Sequence, residues 1–276
     1  MTLRSIVAAA LAEDIGRGDV TSESTVPAST RALGRLVARQ KAVVAGLDVA
    51  REVFKQVGGV VWSARAKDGD RVRPGLVVAE VRGKARSILG GERVALNFLQ
   101  RLSGVATLTR AFVDAVKGTG AKILDTRKTT PGMRVIEKAA VRAGGGTNHR
   151  IGLGDAAIIK DNHIAASGSV AAAVEDLRRR RGPRFRIEIE AQSRAQALAF
   201  AELDLDVLML DNMPVPAMRR LVGELRRIRP RLLIEASGGV TLKTVRAVAK
   251  TGVDWISVGA LTHSAPAADF SLDLTL

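Results

Sequence analysis

From about residue 120 the chain alternates between two kinds of segment. Short apolar or β-like runs occupy 122–124, 156–159, 185–189, 207–210, 232–234 and 255–258. Stretches with helical spacing separate them, at 170–179, 195–202, 215–227 and 242–250. Apolar strands joined by connections long enough for a helix predict a parallel sheet. The central strands are read as apolar on both faces, as a buried parallel sheet requires. A closed barrel and an open doubly wound sheet both fit. The absence of GxGxxG between the first strand and a helix lowers the dinucleotide-binding version.

The first hundred residues have a different rhythm. Short β-rich segments at 33–38, 42–45, 60–66 and 77–81 are punctuated by Asp68-Gly69-Asp70 and Arg73-Pro74-Gly75, both turn signals. Residues 68–81 resemble a biotinyl or lipoyl strand pattern, but no Lys with a neighbouring Met occupies a hairpin tip. A carrier function is therefore rejected and the β geometry kept. A helix is predicted over about 91–105, with Leu96, Leu99 and Leu102 spaced by three and flanked by Phe98 and Ala106. Arg93, Asn97 and Arg101 share one face of it. A solvated face accounts for them, yet like charges repel, so an anion between the arginines is also expected. Residues 6–12 are apolar and run into Glu13-Asp14, which predicts a short amphipathic helix rather than a leader.

Composition narrows the chemistry. Among 276 residues there is no Cys and no Tyr, and His149, His163 and His263 are the only imidazoles. Disulfides, thiolate metal sites, Cys nucleophiles and phenolic acids are excluded together. Lys and Arg number 43 against 28 Asp and Glu, a formal charge of +15, which points to an anionic partner or to a biased composition. Aromatics amount to 3% and are scattered, so a base-stacking platform for single strands is disfavoured. No apolar run has the length of a membrane span, and the expected setting is the cytoplasm.

The polar residues fall where the parallel strands end. The six runs lead into Asp125-Thr126-Arg127-Lys128, Lys160-Asp161-Asn162-His163, Glu190, Asp211-Asn212, Glu235-Ala236-Ser237-Gly238-Gly239 and Gly259-Ala260. In a parallel barrel these ends meet at one mouth, where chemistry is done. Arg127, Lys128, Lys160 and His149-Arg150 supply cations, and Glu190 and Asp211 supply carboxylates on neighbouring strands. That mixture suits a phosphorylated ligand carrying a hard divalent ion such as Mg2+. The turns Ser237-Gly238-Gly239 and Gly259-Ala260 suit phosphate held by backbone N–H groups. Gly144-Gly145-Gly146 loses conformational entropy on ordering, so close backbone approach to a ligand is expected there. The basic run at 178–181 is expected to be a solvated helix end.

Taken together these motifs resemble the quinolinate phosphoribosyltransferases. The likeness runs from Glu13-Asp14-Ile15-Gly16-Arg17-Gly18-Asp19 through Glu92-Arg93, Asp125-Thr126-Arg127-Lys128-Thr129-Thr130-Pro131-Gly132, Thr147-Asn148-His149-Arg150 and Lys160-Asp161-Asn162-His163. It continues to Leu210-Asp211-Asn212, Ser237-Gly238-Gly239 and Gly259-Ala260-Leu261-Thr262-His263-Ser264. Thr147 departs from the aliphatic residue common at its position. A molybdenum-transport-associated paralogue shares the architecture but differs around Asn148 and residues 160–163.

The resemblance implies an N-terminal α/β sandwich domain at 1–108, with the tail 266–276 packing back on it. It implies an incomplete α/β barrel of about six parallel strands at 109–265. It further implies transfer of phosphoribosyl from phosphoribosyl pyrophosphate to quinolinate with loss of CO2, in a homodimer or larger homo-oligomer. Arg93 would reach the neighbour's site. Arg127, His149 and Arg150 would join Arg93 on the quinolinate carboxylates, with Lys128 and Lys160 completing an anion cage. Glu190 and Asp211 would face ribose and magnesium. Ser237, Gly238, Gly239, Gly259 and Ala260 would hold the 5-phosphate. Competing readings are the paralogue or another phosphoribosyltransferase, a nucleic-acid-binding protein motivated by the charge, and an inactive barrel.

Overall fold

The structure is a computed structural model and describes residues 2–276. Along the chain the elements are α1 (Leu3–Ile15), α2 (Val20–Thr25), β1 (Arg31–Ala38), β2 (Ala42–Val43), α3 (Leu47–Val57), β3 (Val60–Ala64), β4 (Arg71–Val72), β5 (Val77–Lys84) and α4 (Ala85–Ala115). There follow β6 (Lys122–Leu124), α5 (Arg134–Ala143), β7 (Ala157–Ile159), α6 (Asp161–Ser167), α7 (Val170–Arg181), β8 (Ile187–Ala191), α8 (Arg194–Ala201) and β9 (Val207–Asp211). The last are α9 (Val215–Ile228), β10 (Leu233–Ser237), α10 (Val245–Ala249), β11 (Trp255–Ser257), α11 (Ala260–His263) and β12 (Phe270–Thr275). They form two compact units. The first holds the described residues to Arg110, Lys128–Gly145 and Ala260–Leu276; the second holds Ala111–Arg127 and Gly146–Gly259.

The first unit is built on an antiparallel sheet in the order β12-β1-β5-β3. Its helix α3 buries Leu47, Ala50, Val53 and Phe54 on one stripe, and the Phe54 ring stacks on Trp62 of β3 at 5.9 Å. Asp68 receives the backbone N–H groups of Gly46 and Leu47 at 2.9 and 3.1 Å, which caps α3 from a distant turn. Burial raises the Asp68 carboxyl above its ordinary range, and those two donors pull the other way.

Helix α4 is longer than the expected 91–105, because Gly90 and Gly91 disguise its first turns. Gly91 is there for contact: a Cβ would approach the Phe54 ring at 2.9 Å. Arg101 is not poised for an anion, contrary to expectation. It donates to Glu137 Oε1 at 2.8 Å and to the carbonyls of Ala265 and Thr262. The buried Glu137 also accepts from Thr130 N and Oγ1 at 2.9 and 2.8 Å. Gly144 is required by packing, since a Cβ would overlap Ala106 O and the Thr109 side chain.

The second unit is a parallel sheet in the order β6-β11-β10-β9-β8-β7. No ladder joins β6 to β7 among the described residues, so the barrel is incomplete; beyond β6, Leu124 bridges Thr147. Helices lie between successive strands, and α9 buries Met218, Leu221, Val222 and Leu225 at helical spacing. Ser169 and Ser193 cap α7 and α8 through their side chains.

The strands are not apolar on both faces. In-register pairs Glu188↔Val207, Glu190↔Met209, Glu235↔Met209 and Ser237↔Asp211 put three glutamates, Asp211 and Ser237 on one face. Ile187, Ile189, Leu208, Leu210, Ile234 and Ala236 take the other, buried against the helices. The basic run of α7 also departs from expectation at one position. Arg178, 13% exposed, donates to Asp204, Asp206 and the carbonyls of Pro183 and Phe185. Arg179, 73% exposed, pairs only locally with Asp176.

Candidate active site

On the polar face of the second unit several of the expected site residues meet. Lys160 follows β7 and forms an ion pair with Glu190 Oε2 on the adjacent β8; Lys160 is 45% exposed, while Glu190 is buried. Asp211 closes β9, the next strand. Its Oδ2 accepts from Asn212 Nδ2 at 2.7 Å. Asn212 has φ +53, the only positive φ outside glycine among the described residues. Its N–H donates to Ser237 O at 2.9 Å. Gly238 has φ +95, and a Cβ on it would overlap the Asn212 side chain. The turns after β9 and β10 thus interlock, and a side chain larger than hydrogen at 238 would separate them. Gly239, φ +59, has open space at its Cβ position.

A second group hangs from Asp125, which is fully buried just beyond β6. Its carboxylate accepts from His149 N at 2.8 Å and from Asn148 Nδ2 at 2.5 Å. The loop 147–150 is therefore fastened to the sheet through a charge-assisted pair. Arg150 donates from Nη1 to Ala156 O at 2.8 Å. Burial, and then the nearby charge of Arg127, lower the Arg150 pKa. Two cations that disfavour one another in one place form a site that gains from an anion.

His149 is buried and has both ring nitrogens engaged. Nδ1 accepts from Arg150 N at 2.8 Å, and Nε2 lies 3.1 and 3.3 Å from carboxylate oxygens of Glu188 and Glu235. Burial, the largest single influence, works against charge on the ring, while the hydrogen bonds and charges of Glu188 and Glu235 favour it and raise the pKa. Protonating Nδ1 would break the bond from Arg150 N–H, which opposes that second proton. Burial raises the Glu188 pKa, against the pull of His149, so this carboxyl takes up a proton more readily than usual.

Glu188 had no place in the expected site, and Glu235 stood there only as a strand-end residue. The signal was present in the alternation Ile187-Glu188-Ile189-Glu190, whose period of two places both glutamates on one face. The structure gathers Arg127, His149, Arg150, Lys160, Glu190, Asp211, Ser237, Gly238, Gly239 and Gly259 in the second unit. Arg93, Lys128 and Ala260 belong to the first unit. There Arg93 lies on α4 beside Glu92, and the Lys128 carbonyl accepts from Thr262 Oγ1 at 2.8 Å.

Residues 19–103 match the model of the quinolinate phosphoribosyl transferase N-terminal domain, and residues 105–273 match that of its C-terminal domain. The chain belongs to the quinolinate phosphoribosyltransferase family. It is 46% identical to nicotinate-nucleotide pyrophosphorylase (carboxylating) of Mycobacterium leprae, covering 98% of this chain and 96% of that one. Identity is 42% to quinolinate phosphoribosyltransferase (decarboxylating) 1b of Nicotiana tabacum, over 99% of this chain and 82% of that one. The solved nicotinate-nucleotide pyrophosphorylase of Ehrlichia chaffeensis superposes with a TM-score of 0.93 at 36% identity, covering 100% and 99% of the two chains. No helix among the described residues is long and apolar enough to cross a membrane.

Proposed function

We propose that the protein transfers phosphoribosyl from phosphoribosyl pyrophosphate to the ring nitrogen of quinolinate, releasing pyrophosphate and CO2 and forming nicotinate mononucleotide. The observation that carries this reading is the presence, within the second unit, of mutually repelling Arg127 and Arg150 together with the Lys160–Glu190 ion pair and Asp211. One part asks for a small anion and the other for a polar, phosphorylated partner. Membership of the family makes quinolinate and phosphoribosyl pyrophosphate those two ligands.

In this reading Arg127 and Arg150 hold the quinolinate carboxylates, because guanidinium forks match planar carboxylates. Lys128, adjoining Arg127 in sequence, and Lys160 add positive charge against the two polyanions. Ser237, Gly238, Gly239, Gly259 and Ala260 bind the 5-phosphate by main-chain N–H groups and hydroxyl. Arg93 acts at the site of a second copy in a homodimer, and the enzyme works in the cytoplasm. Glu190 and Asp211 are hard oxygen donors on adjacent strands, a donor set that fits a magnesium ion keeping most of its water. When bound, that ion neutralises charge on the departing pyrophosphate.

The bond from C1 of the ribose to the pyrophosphate oxygen breaks as the ring nitrogen bonds to C1. The positive charge growing on C1 is stabilised by the carboxylates of Glu190 and Asp211. Departure of CO2 leaves its bonding pair on the pyridine carbon, where the adjacent quaternised nitrogen stabilises it until a proton is taken up. No protein nucleophile is required.

Glu190→Ala and Asp211→Ala are expected to lower kcat by about a hundredfold or more, with quinolinate binding changed by less than about threefold. Steady-state kinetics and direct quinolinate titration check this. Unchanged turnover in both variants would remove the carboxylates from the reaction.

A further inference from the structure

His149, Glu188 and Glu235 form a buried cluster beneath the cationic loop, and the reaction as described uses neither glutamate. Both glutamate side chains are completely enclosed, and none of their four oxygens has a fully formed hydrogen bond among the described residues. The nearest donor is His149 Nε2, between Oε2 of Glu188 at 3.1 Å and Oε2 of Glu235 at 3.3 Å. An N–H directed between two acceptors is off line to each, which explains the imperfect geometry. Enclosing two carboxylates with so few donors costs stability, so packing alone gives no reason for them.

The three groups could in principle ligate a metal ion, since their donor atoms lie within 4.8 Å of one another. The other ring nitrogen decides against that. Nδ1 accepts the Arg150 N–H at 2.8 Å, so the ring carries its proton on Nε2. A metal on Nε2 would drive that proton to Nδ1, into the Arg150 N–H.

We propose that Glu188 and Glu235 are positioning residues that hold the His149 ring by its Nε2–H, so that Nδ1 fixes the main chain from which Arg150 reaches quinolinate. This rests on the reading of Arg150 as a quinolinate ligand. The chain of contacts is continuous: Asp125 holds His149 N, the ring holds Arg150 N, and Arg150 Nη1 is braced on Ala156 O. The acidic pair, contributed by β8 and β10, sets the orientation of the ring in that chain.

The test combines ring spectroscopy with kinetics of Glu188→Gln and Glu235→Gln. The chain has three histidines, so nitrogen-15 labelling of the imidazoles gives three ring systems, assigned with His163→Asn and His263→Asn. In the wild-type protein without substrate, the His149 ring is expected to be protonated at Nε2 alone, with Nδ1 as acceptor. Each Gln variant should raise the quinolinate KM about tenfold or more while kcat and the phosphoribosyl pyrophosphate KM change less than about threefold. Thermal stability should be equal or higher, because a buried charge has been removed.

An Nδ1-protonated or doubly protonated wild-type ring would overturn the proposal, and this readout stands even where a Gln variant fails to fold. Variants with the wild-type quinolinate KM would overturn it as well. A wild-type protein that shows the expected ring state but does not turn over quinolinate would instead overturn the reading of the substrate.

Discussion

At the scale of single residues, the site depends on a few conformations that no neighbouring residue type would adopt cheaply. Asn212 carries φ +53, and asparagine tolerates that region better than alanine does. Asn212→Ala should therefore be less stable than Asn212→Gly by about 1 kcal/mol, measured from denaturant midpoints. Both should lower turnover, because Asp211 loses the donor that orients its carboxylate. Equal stability of the two variants would refute the conformational part. The strand-end residues Glu190, Asp211 and Ser237 were legible because polar groups after apolar runs stand out in sequence. The acidic pair was not: the partner of Glu188 and Glu235 is His149, contributed by a loop distant in the chain. Arg101 was misread for the same reason, since Glu137 and the 262–265 carbonyls come from other parts of the chain.

At the scale of elements, the parallel strands were visible as apolar runs followed by charge or glycine, and their observed bounds differ by only a few residues. Strand β10 is the instructive case. It extends to Ser237 rather than ending at 234, which turns Glu235 from an expected strand-end group into an enclosed one. Helix α4 shows why glycine misleads within a helix. Gly104 faces the C-terminal segment, where a Cβ would collide with Pro266 O, whereas Gly90 in the same helix faces open space. Gly104→Ala should lose about 2 kcal/mol or more, from forced separation of two backbones. Gly90→Ala should gain up to about 1 kcal/mol from helix propensity. Thermal or denaturant unfolding of the pair checks both signs, and a stabilising Gly104→Ala would show that the approach is not tight.

At the scale of the molecule, the two units are each woven from separate parts of the sequence. The first contains the last strand, β12, which pairs along β1 from Leu33↔Thr275 to Ala38↔Phe270 and buries Phe270. Removing residues 270–276 should cost the first unit about 3 kcal/mol or more, from the lost aromatic burial and a newly open strand edge. Protease susceptibility and the unfolding midpoint report this, and an unchanged midpoint would show that β12 is dispensable. Fold class was readable from the sequence because strand and helix periodicities differ so sharply between its two parts. The most direct measurement of the reaction mixes the purified protein with phosphoribosyl pyrophosphate, magnesium and quinolinate labelled in its C2 carboxylate, and follows nicotinate mononucleotide and labelled CO2 together. Equal formation of both, dependent on every component, is the predicted result. Binding of phosphoribosyl pyrophosphate without either product would contradict the assignment of quinolinate as the accepting base.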